Sequence, residues 1–171
     1  MNKILFTLLT ALLVLLTSCS IEPVDPITSE FFEGEYRLTE YVVDLPVDLN
    51  NDSNYSTNLL EEIDCENRET LVFDKQGFVY SNQTFNPKID LLLVDASLGT
   101  YSVDVECDTE GIIGTASAYT KSGNQIMINE RKATISGTKI TMLFKNALKI
   151  YNQNKTLVLG TKDLTLIYTK K

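Results

Sequence analysis

After residue 33 the chain is a succession of short runs in which apolar and polar residues alternate, the period of half-buried strands. Residues 34–45 place Tyr36, Leu38 and Glu40 on one side and Arg37, Thr39, Tyr41 and Val43 on the other, and Pro46 is predicted to stop the strand. Residues 69–74 carry Leu71 and Phe73 on one face, Lys75-Gln76-Gly77 reads as a tight turn, and residues 78–81 return. Residues 100–107 alternate through Tyr101, Val103 and Val105. Further strands are predicted at 115–121, 125–130, 132–136, 139–149, 156–159 and 164–169. Residues 82–97 have no clean period, and the run Leu91-Leu92-Leu93-Val94 suits either a strand or a buried loop.

One long segment, Asp48 to Cys65, breaks this pattern. Asn58 and Glu61 stand at capping-pair spacing, and Leu59, Leu60 and Ile63 share a helical face. A polar loop followed by one short helix around 57–64 is the prediction. Elsewhere, Ser122-Gly123-Asn124-Gln125-Ile126 recurs as Ser136-Gly137-Thr138-Lys139-Ile140, and Ser-Gly at these points signals a hairpin turn. Successive hairpins make an antiparallel meander. The fold class is therefore all-β, a barrel or a sandwich.

The N-terminus has a different texture. Lys3 is followed by residues 4–16, apolar apart from Thr7 and Thr10 and without charge, which is the shape of a secretory leader and too short to span a bilayer comfortably. It ends Leu16-Thr17-Ser18-Cys19, which resembles the lipobox of bacterial lipoproteins. That resemblance implies removal of a signal peptide (1–18), acylation of Cys19, and membrane attachment through lipid. Ser20 after the cysteine implies, by the same resemblance, the outer membrane of a bacterial cell envelope. Residues 19–33, with Pro23, Pro26 and several acids, read as a flexible tether, with Phe31 and Phe32 marking where it meets the domain at 34–171. In an oxidising compartment the two remaining cysteines, Cys65 and Cys107, are expected to form a disulfide.

Charge and missing residue types narrow the chemistry. Residues 20–110 hold 21 acids against four bases, whereas residues 111–171 hold two acids against ten bases. The later lysines alternate with apolar residues and read as solvated strand faces. A chain of net charge −8 is a poor partner for nucleic acid. There is no histidine, which removes Ser-His-Asp and Cys-His nucleophiles and histidine metal sites. Gly111-Ile112-Ile113-Gly114 lacks the lysine and helix of a phosphate loop. Adjacent acids such as Glu61 and Glu62 do not by themselves make a hydrolytic pair. No enzyme and no organic cofactor are expected. Asp48, Asn50 and Asp52 match positions 1, 3 and 5 of a calcium loop, with Asn54 and Ser56 at 7 and 9. Ser53 replaces the glycine at position 6 and Leu59 the bidentate acid at position 12, and the alternative is a polar surface turn.

Several short motifs carry a wider resemblance: Gly34-Glu35-Tyr36-Arg37-Leu38, Asp48-Leu49-Asn50-Asn51-Asp52, Glu61-Glu62-Ile63-Asp64-Cys65, Leu71-Val72-Phe73-Asp74-x-x-Gly77 and Leu164-Thr165-Leu166-Ile167-Tyr168. On these the chain resembles the lipocalin-like domain lipoproteins of the Bacteroidota. Tyr36 stands where secreted lipocalins carry tryptophan, and residues 139–171 read as strand where those proteins have a helix. The resemblance implies a lipocalin-like β-barrel that binds a small hydrophobic ligand. The alternative is a cell-surface structural or protein-interaction module stabilised by calcium. In a barrel the alternation turns Tyr36, Leu38, Phe73, Tyr101, Val103, Ile126, Ile128, Ile140, Met142, Phe144, Leu166 and Tyr168 inward. A one-residue slip exchanges the two faces.

Overall fold

The computed structural model describes residues 32–50, 52–107 and 113–171. The leader, the tether up to Phe31 and Cys19 lie outside the described residues, as does Asn51 of the polar loop. Among the described residues the strands are β1 (Gly34–Val47), β2 (Ser56–Asn58), β3 (Thr70–Phe73), β4 (Phe78–Ser81), β5 (Lys88–Asp95), β6 (Thr100–Glu106), β7 (Thr115–Ser122), β8 (Gln125–Ile128), β9 (Arg131–Ser136), β10 (Lys139–Tyr151) and β11 (Val158–Lys170). Strands β1, β3, β4, β7, β8, β9, β10 and β11 pair in that order, each antiparallel to the next. β11 returns to pair with β1, closing an eight-stranded barrel. Closure removes the edges that an open meander would expose.

The turn chemistry sets this register. In the repeated Ser-Gly segments, Ser122 pairs with Gln125 and Ser136 with Lys139. Gly123 (φ 58°) and Gly137 (φ 56°) take the positive dihedral that the first position of a two-residue hairpin demands. A side chain at either position would be strained. Both turns, with the β3–β4 turn, lie at one end of the barrel. That end is filled. Phe32, Tyr36, Phe73 and Tyr119 form a ring cluster, with Phe73 centroids 4.9, 5.7 and 5.2 Å from those of Phe32, Tyr36 and Tyr119. The Tyr36 hydroxyl donates to the Phe32 carbonyl at 2.6 Å, fixing Phe32 as the plug.

Four expectations are corrected. First, β1 does not keep one parity. A register shift between Leu38 and Glu40 against β11 is a β-bulge. Tyr36 and Leu38 are buried before it, and Tyr41, Val43, Leu45 and Val47 after it. Second, β1 runs through Pro46 to Val47, which pairs with Ser56 of β2; a residue without an N–H is tolerated where no ladder bond is asked of it. Third, the predicted 57–64 helix shrinks to a single 3-10 turn, Leu59–Glu61. The Asn58 side chain accepts from Leu60 N–H at 3.3 Å but also from Tyr41 N–H at 2.8 Å, which draws residues 56–58 into the sheet instead. Fourth, the predicted strands at 156–159 and 164–169 are one strand. The intervening Asp163 is held by Lys145 Nζ and Asn146 N–H, at 2.8 and 2.9 Å, on the neighbouring strand.

The irregular segment 82–97 has a definite role. In the ring order, β4 and β10 are four places apart and therefore face each other across the barrel. The chain leaves β4 at Ser81, and β5 pairs in parallel with the far end of β10, Leu91 opposite Ile150. Residues 82–87 must then cross the open mouth as a strap. β5 and β6 form an antiparallel hairpin outside the ring. Lys155 clamps this hairpin to the β10–β11 turn through Asp104 and through Asp90 at 3.0 Å. Just beyond β6, a Cys65–Cys107 disulfide (Cα–Cα 5.4 Å) ties the hairpin to the segment leading into β3.

Candidate functional site

Behind the strap the barrel interior is hollow. A cavity of about 630 Å³, open in part to solvent, is lined by every strand of the ring and by strap residues Thr84 to Pro87 together with Ile89 of β5. Pockets for small organic ligands fall at roughly 300–1,000 Å³. The wall is mostly apolar: Leu71 from β3, Val79 from β4, Ile128 from β8, Met142, Phe144 and Leu148 from β10, and Leu164 and Leu166 from β11. Phe85 of the strap is buried and meets the Tyr41 ring edge-on at 5.5 Å, which holds the strap down on the barrel wall.

Polar side chains also reach the wall, among them Glu69, Ser81, Asn86, Asn129 and Arg131. Glu69 precedes β3 on the parity of Leu71 and Phe73, so its carboxylate points inward and is only 5% exposed. It accepts from the Tyr168 hydroxyl at 2.6 Å and from the Phe85 N–H at 2.7 Å, which joins strap to barrel. Burial raises the Glu69 pKa above the ordinary value, against the pull of those two donors. Burial together with the Glu69 charge pushes the Tyr41 hydroxyl up to about 12. The Tyr168 hydroxyl is raised by the same causes, burial first. The Ser81 hydroxyl, also in the wall, is buried without a hydrogen-bond partner among the described residues. At the rim, Arg131 lies over the Phe144 ring, 4.8 Å from its centroid, and Asn129 donates to Ser117 at 2.6 Å.

Of the twelve residues predicted to face inward, Ile128, Met142, Phe144 and Leu166 line the cavity. Tyr36, Leu38, Phe73, Ile126, Ile140 and Tyr168 are buried in the packed core. Tyr101 and Val103 do neither, because β6 stands outside the ring. Tyr41, Glu69, Val79, Ser81 and Leu164 belong to the site and escaped the pattern. The bulge hides Tyr41. A signal for Glu69 was present, since an acid two residues ahead of Leu71 shares its inward parity.

The polar loop binds itself. Asp48 accepts from the N–H groups of Asp52 and Ser53 at 3.1 and 3.2 Å, Asn50 from Asp52 N–H at 3.0 Å, and Asp52 from Asn54 N–H at 2.8 Å. These are turns in which a side chain stands in for backbone. Ser56 donates to Glu61 at 2.7 Å, and the buried Glu62 accepts from Leu49 N–H at 3.0 Å, pinning the loop to the 3-10 turn. Among the described residues, no three acidic or sulfur side chains gather as a metal-binding set. No family model matches the chain, nor does any curated protein or solved structure.

Proposed function

We propose that the chain is a non-enzymatic, membrane-anchored lipoprotein whose lipocalin-like barrel binds a small hydrophobic ligand. The observation that carries this reading is the apolar cavity of about 630 Å³ inside a closed eight-stranded barrel. A barrel of this strand number is either filled by side chains or holds one small ligand, and here one half is filled and the other hollow. The absence of histidine from the sequence supports binding rather than turnover. The lipobox-like Leu16-Thr17-Ser18-Cys19 supports the anchor, with the tether giving the barrel reach from a membrane surface.

The binding test uses a neutral, environment-sensitive apolar dye such as N-phenyl-1-naphthylamine. Saturable one-to-one binding is expected. It should be lost when the wall is filled by Leu166→Trp and kept when Tyr101, outside the ring, is changed to Trp. Dye binding indifferent to Leu166→Trp would place the apolar surface elsewhere and favour an interaction module. The anchor is tested separately: Cys19→Ala should abolish incorporation of labelled palmitate, and retained labelling would overturn lipidation at that cysteine.

A further inference from the structure

The cavity wall contains one anionic group with unspent binding capacity. The Glu69 carboxylate is buried, and among the described residues it makes no ion pair. Tyr168 and Phe85 use two of its roughly four acceptor positions. Arg131, the cation of the wall, lies over the Phe144 ring instead. A carboxylate in apolar surroundings is costly unless something cationic or hydrogen-bonding meets it, and its pKa is raised by that burial.

A second polar group stands beside it. Ser81 pairs with Leu71, and Glu69 is two residues from Leu71 on the same inward face. Diagonal neighbours on such a face lie about 7–8 Å apart, close enough for one small head group to reach both. Ser81 is 5% exposed, and its buried hydroxyl has no hydrogen-bond partner among the described residues, so it has capacity to accept one. Across the cavity the wall offers only hydrocarbon at Met142, Leu164 and Leu166.

Building on the ligand-binding reading above, we propose that the cavity takes a small amphipathic amine. Its ammonium group is held by Glu69, one N–H donates to Ser81, and its apolar body lies against Met142, Leu164 and Leu166. An ammonium has three donors and no acceptor, which matches two acceptors at the wall. A fatty acid would bring a second negative charge into the same low-dielectric space. A neutral alcohol would leave Glu69 without a counter-charge.

Calorimetric titration of the protein with octylammonium, octanol and octanoate, each monomeric, tests this. Octylammonium should bind roughly ten- to hundredfold tighter than the other two, the range expected for a charged hydrogen-bonded contact. The preference should persist at about 0.5 M salt, which screens surface attraction to an acidic chain but not a buried contact. Glu69→Gln should remove the preference, and Ser81→Ala, which leaves the strap bond intact, should weaken octylammonium several-fold. Equal or tighter binding of octanol or octanoate to the unaltered protein overturns the amine assignment, whatever the variants do. So does a preference that survives Glu69→Gln. In both cases displacement of the neutral dye still reports an occupied cavity, and the binding reading stands. Failure of all three probes to bind, with no uptake of the neutral dye, overturns both.

Discussion

Truncating one residue in each half of the barrel separates a filled interior from a hollow one. Phe73 is 2% exposed and sits among three rings at the closed end. Phe73→Ala removes a phenyl ring from a close-packed site and leaves a new void, so it should cost about 4 kcal/mol, within the 3–5 kcal/mol typical of buried Phe→Ala. Leu166 is also buried, at 8% exposure, but one side of it faces the cavity. Leu166→Ala widens an existing space rather than opening one, so the cavity penalty of about 24 cal/mol per Å³ of new void is largely absent. Its cost should sit near 2 kcal/mol, the bottom of the Leu→Ala range. The chain has no tryptophan, so urea unfolding is followed by far-ultraviolet circular dichroism and tyrosine fluorescence, with the slope compared between variants. Equal costs, or a larger cost at Leu166, would mean that the open half closes up in solution and that no preformed cavity exists.

Three further outcomes follow from other parts of the molecule. Replacing both Cys65 and Cys107 by serine opens a loop spanning 42 positions, and chain entropy sets the loss at roughly 4 kcal/mol; a loss under about 1 kcal/mol, or two reactive thiols in the unreduced unfolded protein, refutes the constraint. Burial lifts the Glu69 carboxyl above its ordinary 4.5, so the folded chain binds its proton to higher pH than the unfolded chain. The stability owed to this group is complete below 4.5 and falls as pH rises through the raised folded value; wild type should therefore lose stability relative to Glu69→Gln as pH rises above 4.5, and a pH-independent difference contradicts that. Calcium bound by Asp48, Asn50 and Asp52 would raise the melting temperature at millimolar Ca²⁺, and Asp48→Ala/Asp52→Ala would abolish the rise; identical melting curves with calcium and with chelator retire the site.

What the sequence disclosed, and what it withheld, follows from the range of each signal. Strands whose faces keep one period were legible because burial of one face imposes it residue by residue: Phe73, Ile126, Ile140, Met142, Leu166 and Tyr168 all turn inward. The Ser-Gly repeat located two hairpins because a positive φ has a compositional price that glycine alone escapes cheaply. The site itself depends on two features without a local period. The bulge after Leu38 exchanges the faces of β1 and brings Tyr41 into the cavity, yet no residue type at Leu38 to Glu40 announces it. The strap is irregular because its backbone serves the barrel mouth rather than a ladder, and only the pairing of β5 with β10 reveals where it goes. Tyr101 and Val103 alternate as cleanly as any inward pair, but alternation reports a half-buried face and not which body covers it.

The bulge and the strap meet at Glu69. Its carboxylate joins the strap at Phe85 to the barrel at Tyr168, beside the ring of Tyr41 that the bulge turned inward. One buried acid thus fixes the roof of the cavity and gives it a polar end. A structural clasp alone would require only that the two bonds persist, and a glutamine could preserve at most part of that arrangement. Selection among ligand head groups requires the charge. Glu69→Gln therefore separates the two roles by what it changes: loss of stability and dye uptake together mark a clasp, whereas loss of the ammonium preference with the dye still bound marks a recognition group. The Ser81 hydroxyl favours the second, because a wall built only to hold the strap has no use for a buried donor and acceptor left without a partner among the described residues.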